Sequence, residues 1–238
     1  MYGDCSLMVE LRVVVPRIRV RFSAVALSKL KMEKWIIIVP KNKGLNSKRD
    51  LIDGILNDEG IKEYKLMQVR GEDVGFFVSN LLTLGKKALG ITGEDLFREW
   101  QLEHPLEQLD VIRRYEWKDN DTLFGKPILC LLGPKGKTLE NLPKNLKVAI
   151  ANKYQKLSDH YLNLLENKGY TFKKIYLSGS VEDTFVYGIA DLVVDIVYSG
   201  KSAKEAGLEC YDKIFECDLV VIGRREQLKE TPKITIKR

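Results

Sequence analysis

Histidine is almost missing from this 238-residue sequence: His104 and His160 are the only two. A pair so far apart argues against a histidine-built zinc site, and each is expected as a surface or helix histidine. There is no local signature of a Ser-His-Asp triad. Cysteine is scarce as well. Cys5, Cys130, Cys210 and Cys217 form no CxxC pair, a usage that fits reduced thiols in a cytoplasmic protein. No apolar run approaches the roughly 20 residues of a membrane span, so no membrane association is expected. Residues 1–31 hold no continuous apolar core of the kind a secretory signal needs. A Walker A loop is also missing. Gly200-Lys201-Ser202 and Gly136-Lys137-Thr138 end like one, but five places upstream stand Asp195 and Leu131 instead of glycine.

What is present describes a globular protein with a full core: 45% hydrophobic and 30% charged residues. The length suits one large domain or two small ones. The net charge of +6 suggests nucleic acid at first sight. Its distribution argues otherwise. Residues 1–31 carry Arg12, Arg17, Arg19, Arg21, Lys29 and Lys31 against Asp4 and Glu10, a net +4 that leaves +2 for the remainder. With a nearly neutral body and no RNA motif, an RNA-binding role ranks last, and no nucleic-acid partner is expected. The leader alternates basic and apolar residues from Arg12 to Phe22. Translation is expected to start at Met32, the alternative being a native N-terminal strand or arm.

The most informative stretch is Gly188 to Leu208. Leu192, Val193, Val194, Ile196 and Val197 around Asp195 have the length and β-branching of a buried parallel strand. Ser199-Gly200-Lys201-Ser202 then forms a polar turn, residues 203–206 read as a short helix, and Gly207 as its stop. Strand, hydroxyl-rich glycine turn, helix start: this order aims backbone N–H groups at an anion. Asp191 and Asp195 are evenly spaced, which puts them on one strand face. Their carboxylates are candidates for holding sugar hydroxyls. An acid in a strand followed by hydroxyl-Gly-x-hydroxyl is the pattern of a loop for a phosphoribosyl 5′-phosphate, and the plain alternative is an ordinary βα turn.

Elsewhere strands and helices alternate. Strands are predicted over 35–39, 64–69, 89–92, 109–114, 128–132, 148–151 and 172–177. Helices are predicted over 47–56, from Asp73 as cap to about 84, from 94, over 159–168 and over 181–187. The run 116–121 reads as an exposed turn. This alternation implies parallel or mixed sheets covered by helices, with ligands at the carboxyl ends of the strands.

Several of these stretches together resemble ATP phosphoribosyltransferase, the first enzyme of histidine biosynthesis. They are Gly179-Ser180-Val181-Glu182, Gly188-Ile189-Ala190-Asp191, Val194 to Val197, Ser199-Gly200 and Ala206-Gly207-Leu208. Val69 to Val74, Leu89 to Leu96 (LGITGEDL) and Ala149 to Tyr154 (AIANKY) resemble further family segments in the family's order. The resemblance covers roughly 35–223.

It implies an α/β fold of two lobes with mixed, mostly parallel sheets and an interlobe cleft, similar to type II periplasmic binding proteins. On that pattern lobe I is 32–124 plus 208–238, and lobe II is 125–207. The residues after Gly223 are too few for the C-terminal domain of the family's long form. The short form is therefore implied, with a histidyl-tRNA-synthetase-like regulatory partner and a homo-oligomer. The implied reaction joins ATP to phosphoribosyl pyrophosphate (PRPP): adenine N1 attacks the anomeric carbon and pyrophosphate leaves with Mg²⁺. The Mg²⁺ travels with the substrate, and no protein metal ligand is assigned. Asp195, Asp191 and Lys43 are the catalytic candidates. Ser199, Gly200, Lys201 and Ser202, with Asp191 and Asp195, are candidates for PRPP. Lys41, Lys43, Arg70, Asp73 and Gly93 are candidates for ATP and pyrophosphate. The sequence departs from the family where its usual KGR turn becomes Lys43-Gly44-Leu45. A two-lobed protein that binds a small phosphorylated or carboxylate ligand without catalysis is the alternative.

Overall fold

A computed structural model describes residues 34–41 and 49–226. The leader at 1–31, Lys43 and the predicted helix start at Asn46 or Ser47 lie outside these residues. Ten strands fall into two five-stranded sheets among the described residues.

The first sheet contains β1 (Trp35–Pro40), β2 (Tyr64–Val69), β3 (Ala88–Gly93), β4 (Asp110–Tyr115) and β10 (Leu219–Gly223), in the order β2-β1-β3-β10-β4. Helices α1 (Arg49–Asp58), α2 (Val74–Thr83) and α3 (Glu94–Glu103) cover it. Each helix buries apolar residues at helical spacing. Ile52, Ile55 and Leu56 do so on α1, and Val74, Val78 and Leu82 on α2. β1 reads WIIIVP and is buried along nearly its whole length, as a strand flanked by neighbours on both sides must be.

The second sheet contains β5 (Ile128–Pro134), β6 (Asn145–Ala151), β7 (Thr171–Leu177), β8 (Leu192–Val197) and β9 (Leu208–Glu216), in the order β7-β6-β8-β5-β9. Its helices are α4 (Gln155–Glu166), α5 (Val181–Val186) and the short α6 (Lys201–Glu205). β8 is central, and Leu192, Val193 and Val194 are fully buried. It pairs in parallel with β6 and antiparallel with β5, so the strand expected to be simply parallel joins both kinds of ladder.

The two sheets repeat one pattern. In each, four strands run one way and a single strand opposes them: β10 in the first, β5 in the second. Both opposing strands are those by which the chain arrives from the other lobe. The crossings are 116–127 outward and Cys217–Asp218 back. β9 belongs to the second sheet through seven paired positions with β5. The boundary expected at 208 therefore lies at 217. A strand as polar as LECYDKIFE reads poorly as core, and its edge position explains why.

Asp218 fastens the crossings. Its carboxylate accepts the Trp117 N–H at 3.1 Å and the Lys126 ammonium at 2.8 Å. His104 closes α3, stacked on Trp100, and His160 is exposed on α4. Cys130, Cys210 and Cys217 are free thiols. No described helix is long and apolar enough to cross a membrane.

Candidate functional site

The carboxyl ends of β6, β7 and β8 meet at one edge of the second sheet, and their turns interlock. β8 delivers Asp195 close to its end. The carboxylate turns back to accept the N–H of Ile196 at 2.7 Å. Burial pushes its pKa up to about 6. The Ile196 bond and the Lys153 charge oppose that rise, and Glu182 adds to it. A carboxyl group poised this way gains from any ligand hydroxyl or cation that replaces lost water.

After β8 the chain turns at Gly200 in the left-handed conformation, φ 71°. A side chain there would be strained by the backbone and would meet Leu123 Cδ2. Ser199 is exposed, and its Oγ accepts weakly from the Lys201 N–H at 3.4 Å. Ser202 donates its hydroxyl to Glu182 at 2.7 Å. The Lys201 ammonium sits 3.8 Å from Glu205 on the exposed side of α6.

Glu182 comes from α5, whose entry is abrupt. Ser180 holds φ 52°, the one non-glycine among the described residues with positive φ. This bend swings the first turn of α5 towards the Ser199–Ser202 loop. Asn152 at the end of β6 donates to Ser178 Oγ at 3.2 Å, which joins the β6 and β7 turns. Lys153 follows, with its ammonium 4.9 Å from the Tyr154 ring centroid and its charge felt by both Asp195 and Asp95.

Asp191 does not belong to this group. It precedes β8 at the opposite end of the strand, about 13 Å from Asp195 at strand rise. Its carboxylate accepts the Lys147 N–H at 2.7 Å. Even spacing does place two residues on one face, but it says nothing of which end of the sheet they occupy. Asp191 thus pins the entry of β8, and the structure does not bring it together with Asp195.

The first sheet offers a looser arrangement. Lys41 follows β1, with its N–H donated to Val69 O at 2.7 Å. Arg70 is exposed and pairs with Glu72 at 2.9 Å rather than with Asp73. Asp73 takes the N-cap position of α2 without a side-chain capping bond, because a 3₁₀ turn over Gly71–Asp73 precedes the helix. Gly93 is the N-cap of α3. A Cβ there would collide with the Asp95 carboxylate.

A family model described as ATP phosphoribosyltransferase matches residues 70–238. The chain belongs to the ATP phosphoribosyltransferase family. A relative of that name from Caldicellulosiruptor bescii is 34% identical over 154 residues, 65% of this chain and 66% of the relative. One from Streptococcus thermophilus is 26% identical over 212 residues, 88% of each. The chain matches just under two thirds of the Caldicellulosiruptor relative's length and 63% of that from Micrococcus luteus. Among solved structures, an ATP phosphoribosyl transferase (HisG:HisZ) complex from Thermotoga maritima shares the fold with a TM-score of 0.58 at 23% identity, over 82% of this chain and 90% of that one. The aliphatic sulphonate binding protein SsuA of Escherichia coli shares it with a TM-score of 0.53 at 16% identity, over 83% and 67%. The fold is the two-lobed α/β fold of type II periplasmic binding proteins.

Within this family member the structure adds residues to which sequence reasoning gave no role. Lys153 lay inside the quoted AIANKY stretch, and Glu182 inside GSVE. Each joins the Asp195–Ser202 group only through folding, Glu182 from helix α5 and Lys153 from the turn after β6. Their signal was the family-like motif itself, which marks a segment without saying what its side chains face.

Proposed function

We propose that this chain transfers the phosphoribosyl group of PRPP to N1 of ATP, releasing pyrophosphate, as a short-form catalytic subunit in histidine biosynthesis. The observation that carries this reading is the interlocked Asp195, Lys153, Glu182 and Ser202 group at the carboxyl edge of the second sheet, in a member of this family. The 5′-phosphate takes the turn at Ser199–Ser202. Gly200 lets the backbone approach, and N–H groups and hydroxyls can face an anion there. Asp195 receives the ribose hydroxyls. Lys153 balances charge beside it.

PRPP enters with its Mg²⁺ as part of the substrate. Pyrophosphate departs towards the first sheet, where Lys41 and Arg70 are the cationic candidates and Gly93 the close-approach position; Lys43 is a candidate from the sequence. Adenine N1 carries its own lone pair, so no general base is required. The protein's task is to align two anions and neutralise the leaving group. The family member in the Thermotoga structure is a HisG:HisZ complex, which supports a regulatory partner here. We assign that role to a histidyl-tRNA-synthetase-like subunit, with the chain forming a homo-oligomer in the cytoplasm.

The deciding experiment mixes purified protein, ATP, PRPP and Mg²⁺, with and without such a partner, and follows phosphoribosyl-ATP and pyrophosphate. Product formation that falls on Asp195→Asn supports the transferase. PRPP binding without product under every partner condition favours the non-catalytic binder.

A further inference from the structure

One helix ties the two lobes together. α3 starts at the carboxyl end of β3, and three residues of its first two turns reach across. Asp95 accepts the Tyr154 hydroxyl at 2.8 Å. Leu96 packs against the core of the second lobe. Glu99 accepts the N–H groups of Lys156 and of Leu157, the latter at 2.9 Å, and so satisfies the first turn of α4. Asp95 and Glu99 are four residues apart and share a helix face.

Both carboxylates are buried, each at 5% exposure. Burial raises the pKa of each, and the hydrogen bonds from the other lobe oppose the rise. Removing the Lys156 and Leu157 donors would cost Glu99 the bonds that offset its burial, while Asp95 would lose its Tyr154 bond and keep those of its own helix start. Beside these contacts lies a cavity of about 230 Å³, lined by Glu72, Leu96, Glu99, Trp100 and Glu103 of the first lobe and by Asn152 and Lys153 of the second. Along this cavity the lobes are held by directed bonds next to open space, not by continuous apolar packing.

Tyr154 sits where these facts join. It is 2% exposed, too deep to touch a substrate. Its hydroxyl is held by the first lobe, while its ring carries the Lys153 ammonium. We propose that Tyr154 is a positioning residue: its bond to Asp95, backed by the hold of Glu99 on α4, sets the lobes' mutual placement and keeps Lys153 beside Asp195. For a reaction joining substrates carried by different lobes, a displacement of about 1 Å costs on the order of a hundredfold in rate.

The kinetic consequence rests on the transferase reading; the placement itself does not. Tyr154→Phe in the full chain, assayed under the partner condition that gives activity, is expected to lower kcat about tenfold with PRPP KM within about threefold of wild type. Asp95→Asn keeps an acceptor for the hydroxyl and is expected to retain more turnover than Tyr154→Phe. Amide exchange at Lys156 and Leu157 is expected to quicken about tenfold in Tyr154→Phe, because loss of the Tyr154–Asp95 bond loosens the placement of α4 against the Glu99 carboxylate that accepts these N–H groups. Wild-type kcat and KM with a lowered melting temperature would make Tyr154 merely structural and overturn the proposal. So would a rise in KM alone, or unchanged exchange at Lys156 and Leu157. If wild type yields no product, the transferase reading fails by itself, and amide exchange still decides the placement.

Discussion

The two sheets share one strand order, yet the turns at their carboxyl ends are held differently. In the second lobe Glu182 grips Ser202, Asn152 grips Ser178, and Lys153 balances a buried Asp195. Three strands contribute to one polar group. In the first lobe Arg70 pairs with Glu72 two residues away, with the side chains 66% and 38% exposed. A pair so wet is worth little. Organisation comes with burial: a carboxylate withdrawn from water must be matched by fixed partners, whereas an exposed arginine needs none. One lobe thus holds a built polar edge, whereas the candidate Arg70 of the other is paired at the exposed surface.

The largest expected effect tests the built edge directly. Gly200→Val places a β-branched side chain at φ 71° against Leu123. It is expected to destabilise the free protein by about 2–3 kcal/mol and to abolish the thermal stabilisation by PRPP. A variant that still responds fully to PRPP would remove the loop from the site.

Asp195→Asn is next, and it should act in opposite directions on stability and binding. The carboxyl pKa is raised from 3.8 to about 6 on folding. Its contribution to stability is therefore fully present below about pH 4 and lost as the pH rises through about 6. Asparagine pays no such penalty. Relative to wild type, the unliganded variant is expected to gain stability between pH 4 and pH 6, by up to about 3 kcal/mol, and to show no gain at pH 4. Denaturant melts across that range read this out. PRPP affinity is expected to fall about tenfold, since a charge-assisted bond exceeds a neutral one by about 1–1.5 kcal/mol. Equal pH profiles for the two proteins would show that Asp195 is not desolvated.

Ser202→Ala releases Glu182 and should weaken PRPP binding by about threefold to tenfold, the value of one hydrogen bond. Titration calorimetry measures it. The smallest stability effect belongs to the first lobe. Arg70→Ala is expected to change unfolding free energy by less than about 0.5 kcal/mol, to leave PRPP affinity unchanged, and to raise the KM for ATP. A loss of PRPP affinity as large as that of Asp195→Asn would break the contrast between the lobes.

Much of the second lobe's edge was legible before folding was considered. The run LVVDIV followed by a hydroxyl-rich glycine turn specified β8, the loop and α6, because β-branching and a left-handed glycine act locally. Asp191 shows where this reading stops. Period-two spacing treated it as a strand neighbour of Asp195 but could not say that it precedes β8, at the strand's far end. β9 is a second case. The residues from 208 were expected in lobe I, whereas pairing with β5, some 80 residues earlier, makes β9 the edge of the second sheet. Lys153 and Glu182 were visible only as letters in motifs.

Sequence alone determined the α/β alternation, the glycine turn after β8 and family membership, because each rests on short-range periodicity or on residues a few places apart. Tertiary structure alone decided which carboxylates are buried and what they meet. Asp95 and Glu99 lie in an amphipathic helix start where acids ordinarily face water near the positive helix end. They are instead enclosed by Tyr154 and the start of α4, some 60 residues further along the chain. Burial depends on which surfaces the crossings at 116–127 and 217–218 bring together, and no local pattern encodes that.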